Sequence, residues 1–184
     1  VSDRVAAVIA GSRHLVKGAP PAISKDGQKP RPYQLMSTFF SALDEDPDAY
    51  LLARVVQLFA PGIPQIYSVG ALFGANDVDA LAASGDPRAI NRHDYTREEI
   101  AERLEDPHVA HFLSVLRWRT SSPAFEGDVT VHPPTTDGEL TLSWTTETSE
   151  ASLHADFRAR SWTITAREHG HPERVEFASI LSRG

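Results

Sequence analysis

Cysteine is absent from the 184 residues. That excludes disulfide staples, thiolate nucleophiles and every metal site built on cysteine. Basic residues are scarce: 18 Lys and Arg stand against 25 Asp and Glu, a formal charge of −7. Tracking a phosphate backbone needs the opposite sign, so no nucleic acid partner is expected. Long apolar runs are missing as well. The best, Tyr50 to Phe59, is interrupted by Arg54 and Gln57 and falls far short of the ~20 residues that span a bilayer, so no membrane partner is expected either. No glycine loop with a following Lys-Ser/Thr is present, which leaves side chains to hold any phosphate. The opening Val1-Ser2-Asp3-Arg4 lacks a basic region leading into an apolar one. The sequence therefore predicts no secretory leader and a cytoplasmic location. A valine at position 1 suggests a piece of something longer.

What is present suffices for a core: 41% of residues are hydrophobic. At about 150 residues per domain, the length fits one domain or parts of two. Residues 17–32, with prolines at 20, 21, 30 and 32, read as a long irregular segment, since proline suits neither a helix interior nor a central strand. Asp46-Pro47 is a helix start, and Leu51, Val55, Leu58 and Phe59 recur at helical spacing until Pro61-Gly62. Ile63 to Val69 is short, apolar and β-branched, the pattern of a buried strand. Thr96-Arg-Glu-Glu99 is a capping box, and Asp106-Pro107 opens a further helix with Val109, Phe112, Leu113 and Leu116 on one face. Beyond Ser121-Ser-Pro123 the period changes to two: Leu140/Leu142/Trp144, Leu153/Ala155/Phe157 and Trp162/Ile164/Ala166 alternate. The expected fold is α/β plus β, the end of a (β/α)8 TIM barrel followed by a small antiparallel β-sandwich. The expected division is 1–120 for the barrel part, with a long loop at 17–34 and a last strand at 63–69, and 121–184 for the β domain. A barrel end alone would leave Leu51, Val55, Leu58, Ile63, Ile66, Phe112 and Leu116 without partners, so the isolated chain is expected to aggregate or order only in part.

Tyr33-Gln-Leu-Met-Ser-Thr-Phe-Phe-Ser-Ala-Leu43 and Ala60-Pro-Gly-Ile-Pro-Gln-Ile-Tyr67, followed by Val69-Gly-Ala-Leu72, Gly74-Ala-Asn-Asp77, Arg88-Ala-Ile-Asn-Arg-His93 and Pro123-Ala-Phe-Glu-Gly127, resemble the sucrose phosphorylase branch of the alpha-amylase superfamily, glycoside hydrolase family 13. The likeness runs nearly without a break from residue 33 to 127. It implies a retaining glycosyltransferase that cleaves sucrose or a related α-glucoside with inorganic phosphate to give α-glucose 1-phosphate, without a cofactor or metal. It further implies that the nucleophile, the acid/base and the transition-state-stabilising aspartate lie upstream of the matched region. No catalytic residue is then expected here, and the chain alone should be inactive. Family members are often homodimers, which makes a homodimer of the full-length protein an expectation.

By the same resemblance Arg88 holds the glucosyl unit, and Tyr33 and Gln34 sit on a mobile acceptor-site loop that meets fructose and phosphate in turn. The sequence departs from the family at Pro30-Arg31-Pro32, where Leu-Asp-Leu is usual. Arg31 in place of an acid suits an anionic acceptor, such as a phosphorylated sugar or a glycerate-like acid. Two further departures, Ala89 for Asp and Ser68 for Tyr, remove no group assigned a role. Read without the family, Arg88 is a loop cation that pairs with nearby acids, and Asp77 is a turn or cap residue. Asn91-Arg92-His93 then holds the loop together through hydrogen bonds. His108 and His111 share a helix face and His169-Gly-His171 sits in a turn, but neither group has a third ligand, so no metal is expected. Two alternatives remain: a non-catalytic sugar-binding or interaction module, or part of an alpha-amylase-type hydrolase.

Overall fold

The computed structural model describes residues 19–24 and 31–180, for 19–24 and 31–35 as backbone only. The chain divides into two compact units that alternate along the sequence: residues 1–46 with 66–104, and residues 47–65 with 105–184. Both helices predicted after Asp46 and Asp106 thus group with the C-terminal sheet, a division that differs from a boundary at residue 120.

The first unit opens with strands β1 (Ala19–Ser24) and β2 (Arg31–Met36), paired antiparallel, with Ile23 opposite Pro32 and Ser24 opposite Arg31. The expectation of an irregular 17–32 segment is corrected for these residues. A two-stranded ribbon has an open edge on each strand, and there a proline forfeits no ladder bond. A single helical turn, α1 (Phe39–Ala42), follows, capped by the Thr38 hydroxyl, which accepts from the Ser41 N–H at 3.0 Å. The remainder comprises α3 (Ser68–Ala71), α4 (Val78–Ser84), a 3-10 turn at Ala89–Asn91 and α5 (Arg97–Glu105). Met36 and Ile90 are buried together, with Leu81 packed on them.

Ile63–Val69 forms no strand. Residues 63–67 are neither helix nor strand, Ser68 and Val69 begin α3, and Ile63 is 93% exposed. A parallel barrel strand exists only between neighbours, and none is available to it here.

The second unit is built on α2 (Pro47–Phe59), α6 (Pro107–Ser121) and a five-stranded sheet in the order β3-β4-β5-β6-β7. Its strands are β3 (Asp128–His132), β4 (Glu139–Thr145), β5 (Ser149–Asp156), β6 (Ser161–Glu168) and β7 (Arg174–Ala178), all antiparallel neighbours. Alternation places Leu142 and Trp144, then Ala151, Leu153 and Ala155, then Trp162 and Ile164 on the buried face. Register opposes large to small: Trp144 faces Ala151, Trp162 faces Ala155, and Leu142, Leu153 and Ile164 line up across three strands.

That face is covered by α2 and α6, not by a second sheet, so the β-sandwich expectation is corrected to a single sheet with a helical layer. Leu51, Val55, Leu58 and Phe112 accordingly lie buried within this unit and are not left wet as the barrel-end argument expected. The apolar stripe of a helix is satisfied by any apolar face of the right width. Arg54, which interrupts the stripe, is buried too, its guanidinium over the Tyr50 ring and its Nη1 donating to Gln57 Oε1 at 2.7 Å.

The carboxyl end of α2 leaves carbonyls unpaired within the helix, and the rest of the unit supplies donors. Trp144 Nε1 donates to Phe59 O at 2.8 Å, and Arg119 Nε donates to Leu58 O at 3.2 Å. Phe59, Trp118, Phe125 and Trp144 form one aromatic cluster, with the Phe59 and Phe125 rings edge to face at 5.1 Å. Gly127 lies so close to the Thr145 carbonyl that a Cβ would meet it at 2.0 Å, which explains why this turn needs glycine.

Candidate functional site

The connection from α4 to α5 carries the Arg88–His93 run, and its path is fixed by the cap of α4. Asp77 is the N-cap: its Oδ1 accepts from the Ala80 N–H at 2.7 Å, and its own N–H donates to Ile90 O at 2.8 Å. Arg88 begins the 3-10 turn, its N–H donating to Asp86 Oδ1 at 2.9 Å. Held in this way, Arg88, Asn91 and Arg92 line an open cavity of about 440 Å3 together with Met36 and Tyr67.

No acidic side chain is among these lining residues. Arg88 and Arg92 are both exposed, and among the described residues neither guanidinium has a carboxylate partner. The loop-cation reading of Arg88, which required pairing with nearby acids, therefore has no support. Two unpaired guanidinium forks, an amide and a phenol make a wall of hydrogen-bond donors with positive charge. Such a wall can grip hydroxyl pairs, phosphoryl oxygens or carboxylates. The backbone of β2 places Arg31, Tyr33 and Gln34 five, three and two positions before Met36, while their side chains lie outside the described residues.

The same connector carries a cluster of three groups. Asp77 Oδ2 is 2.5 Å from His93 Nδ1, and His93 Nε2 is 3.3 Å from Glu99 Oε1. The other Glu99 oxygen accepts from the Thr96 N–H at 2.7 Å, and Thr96 Oγ1 accepts from the Glu99 N–H at 3.2 Å, the capping box expected from the sequence. The bond from Asp77, burial acting against it and the bond to Glu99 together raise the His93 pKa, while the same bond lowers that of Asp77. The Tyr95 ring meets His93 edge-on at 4.5 Å, and burial pushes its phenol up. Asn76 ties this connector to α1: its Oδ1 accepts from the Thr38 N–H at 2.7 Å and its N–H donates to Ser41 Oγ at 2.9 Å.

Asn91 and Arg92 as lining residues, and Tyr67 and Met36 beside them, were missed by sequence reasoning. The run Asn91-Arg92-His93 was the signal for two of them, but it pointed to internal hydrogen bonding. The Asn91 and Arg92 N–H groups do bond within the turn, to Arg88 O and Ala89 O, while of the three side chains only that of His93 bonds inside the connector among the described residues. In the other unit, His111 Nε2 lies 3.0 Å from Ala178 O, and His108 lies 3.5 Å from Asp48. Among the described residues no group of three or more His, Asp or Glu could hold a metal, and no helix is long and apolar enough to cross a membrane.

The crystal structure of sucrose 6F-phosphate phosphorylase from Thermoanaerobacter thermosaccharolyticum superposes with a TM-score of 0.80 at 33% identity, covering 95% of this chain and 34% of that one. No family model matches the sequence. Among individual proteins, sucrose phosphorylase from Agrobacterium vitis is 45% identical over 134 residues, 73% of this chain and 27% of that protein. Glucosylglycerol phosphorylase from Marinobacter adhaerens is 38% identical over 146 residues, 78% of this chain and 30% of that protein. The chain is a homologue of part of the sucrose phosphorylases, and spans only 27–30% of the length of these relatives.

Proposed function

We propose that this chain is the C-terminal portion of a retaining glucoside phosphorylase, the end of its (β/α)8 barrel with the following β domain. It supplies glucosyl- and acceptor-binding groups, while the reactive carboxylates lie on polypeptide outside it. In this reading a carboxylate nucleophile attacks the anomeric carbon as a carboxylic acid protonates the departing acceptor oxygen. The glucosyl-enzyme is then intercepted by phosphate, whose proton passes to the same acid/base, giving α-glucose 1-phosphate. Arg88 grips the glucosyl hydroxyls through both steps. Tyr33 and Gln34 change partners between acceptor and phosphate.

The observation behind this reading is the cavity in which Arg88 stands beside Asn91 and Arg92, with no acid among the described lining residues. The test uses the full-length protein. Arg88→Ala should lower kcat/KM for phosphorolysis on the order of 100-fold, and Arg88→Lys should restore little, because an ammonium cannot reproduce the planar fork. Glucose 1-phosphate release measures both, and unchanged release by Arg88→Ala would overturn the assignment.

A second reading concerns the acceptor. Arg92 on the wall, with Arg31 in the strand that ends at Met36, favours an anionic leaving group over neutral fructose. Relatives named for such compounds include sucrose 6(F)-phosphate phosphorylase from Thermoanaerobacterium thermosaccharolyticum, 39% identical over 132 residues. Reverse synthesis offered fructose, a phosphorylated fructose and glycerate in parallel decides it, and a preference for fructose refutes it.

A further inference from the structure

None of the three groups of the Asp77–His93–Glu99 cluster is among the residues that line the cavity. The His93 side chain joins the caps of two helices: Asp77 caps α4 and Glu99 closes the capping box of α5. A neutral imidazole has a single N–H, whereas two carboxylates offer only acceptors. Both ring nitrogens can be satisfied only when His93 is an imidazolium. The turn that bears Arg88, Asn91 and Arg92 is thereby pinned on both sides: by the Asp77 N–H on Ile90 O, and by the His93 ring on the Asp77 carboxylate.

We propose that His93, clamped between Asp77 and Glu99, is the positioning residue that sets Arg88 for glucosyl binding, an inference that rests on reading Arg88 as the glucosyl anchor. His93 is not among the cavity residues and touches no substrate. It acts by holding the main chain of the turn, so that the Arg88 guanidinium arrives already oriented. Orientation fixed before binding lowers the cost of ordering in the transition state. Tyr95 closes the cluster by laying its ring edge against the imidazole, and its hydroxyl occupies the space that a Cβ at Gly74 would need. The ionisable groups facing His93 are Asp77 on the α4 side and Tyr95 and Glu99 on the α5 side, with Arg103 of α5 acting on Tyr95.

The experiment is a double-mutant cycle in the full-length protein, read as kcat/KM for glucose 1-phosphate formation on folded samples. His93→Gln should lower kcat/KM about tenfold or more while Arg88 is present, and should cost nothing further in an Arg88→Ala background. Equal losses in both backgrounds would show that His93 acts on the fold in general and overturn the proposal. So would an unaffected His93→Gln alongside a crippled Arg88→Ala. An unaffected Arg88→Ala would instead bring down the glucosyl-anchor reading itself, and the clamp with it. Glu99→Gln provides a second measurement that does not depend on His93→Gln folding. Glutamine preserves the capping box but withdraws a charge that raises the His93 pKa, so the alkaline limb of the pH–rate profile should move to lower pH. An alkaline limb that stays in place overturns the proposal as well.

Discussion

The Asp77 carboxylate serves two partners at once, one oxygen on a helix N–H and the other on an imidazole. Its acidity and the basicity of His93 therefore define a pH window. The bond to His93 holds the folded Asp77 below its ordinary 3.8, so its stabilisation is present above that value and fades as pH falls through the lowered one. The bond from Asp77 holds folded His93 above its ordinary 6.5, so its stabilisation is full below 6.5 and fades as pH rises through the raised value. The difference in Tm between the wild type and His93→Gln should be largest between pH 3.8 and 6.5 and close on either side. Melts across a buffer series check this. Thr96 with Glu99 was legible from sequence because a capping box is a contact three residues long. The pairing of Asp77 with His93 was not, because they stand sixteen positions apart across α4 and the turn that follows it, and no periodicity records the route. Arg88 was legible only through resemblance, since an arginine in a polar loop has no distinguishing pattern of its own.

At the level of elements, local chemistry fixed the helices and pairing decided the strands. Asp106-Pro107 was expected to open α6, and Asp106 caps it, its Oδ1 accepting from the His108 N–H at 2.8 Å and the Val109 N–H at 3.3 Å. Asp106→Ala should cost about 1 kcal/mol, read as a lower urea midpoint with an unchanged slope. The alternating runs from Leu140 onward also proved to be strands, because a face half buried writes period two into the sequence. The edge strands β3 and β7 went unrecognised. Val131 and Val175 are exposed, and a strand with little to bury leaves little alternation to read. Ile63–Val69 failed for the opposite reason: its composition suits a buried strand, but a ladder needs a neighbour, and composition cannot supply one.

At the scale of a whole unit, the core of the second is the sheet face under α2 and α6. Leu153 lies at its middle, wholly buried in the central strand with Leu142 and Ile164 opposite. Leu153→Ala should cost about 2–5 kcal/mol in the transfer of the lost methyls and the void they leave, and denaturant unfolding followed by tryptophan fluorescence would report it. The sequence reading supplied the strands of this face but assigned it a second sheet as cover. Nothing in α2 itself distinguishes a helix that packs on a barrel from one that packs on a sheet, since both present the same apolar stripe. The alternation of the two units along the chain, 1–46 and 66–104 against 47–65 and 105–184, bears on any attempt to take the protein apart. No single cut yields either half. A chimera that borrows the sheet from a cousin must also import its first long helix through a separate junction, so grafting here demands two splices where a tandem arrangement would ask for one.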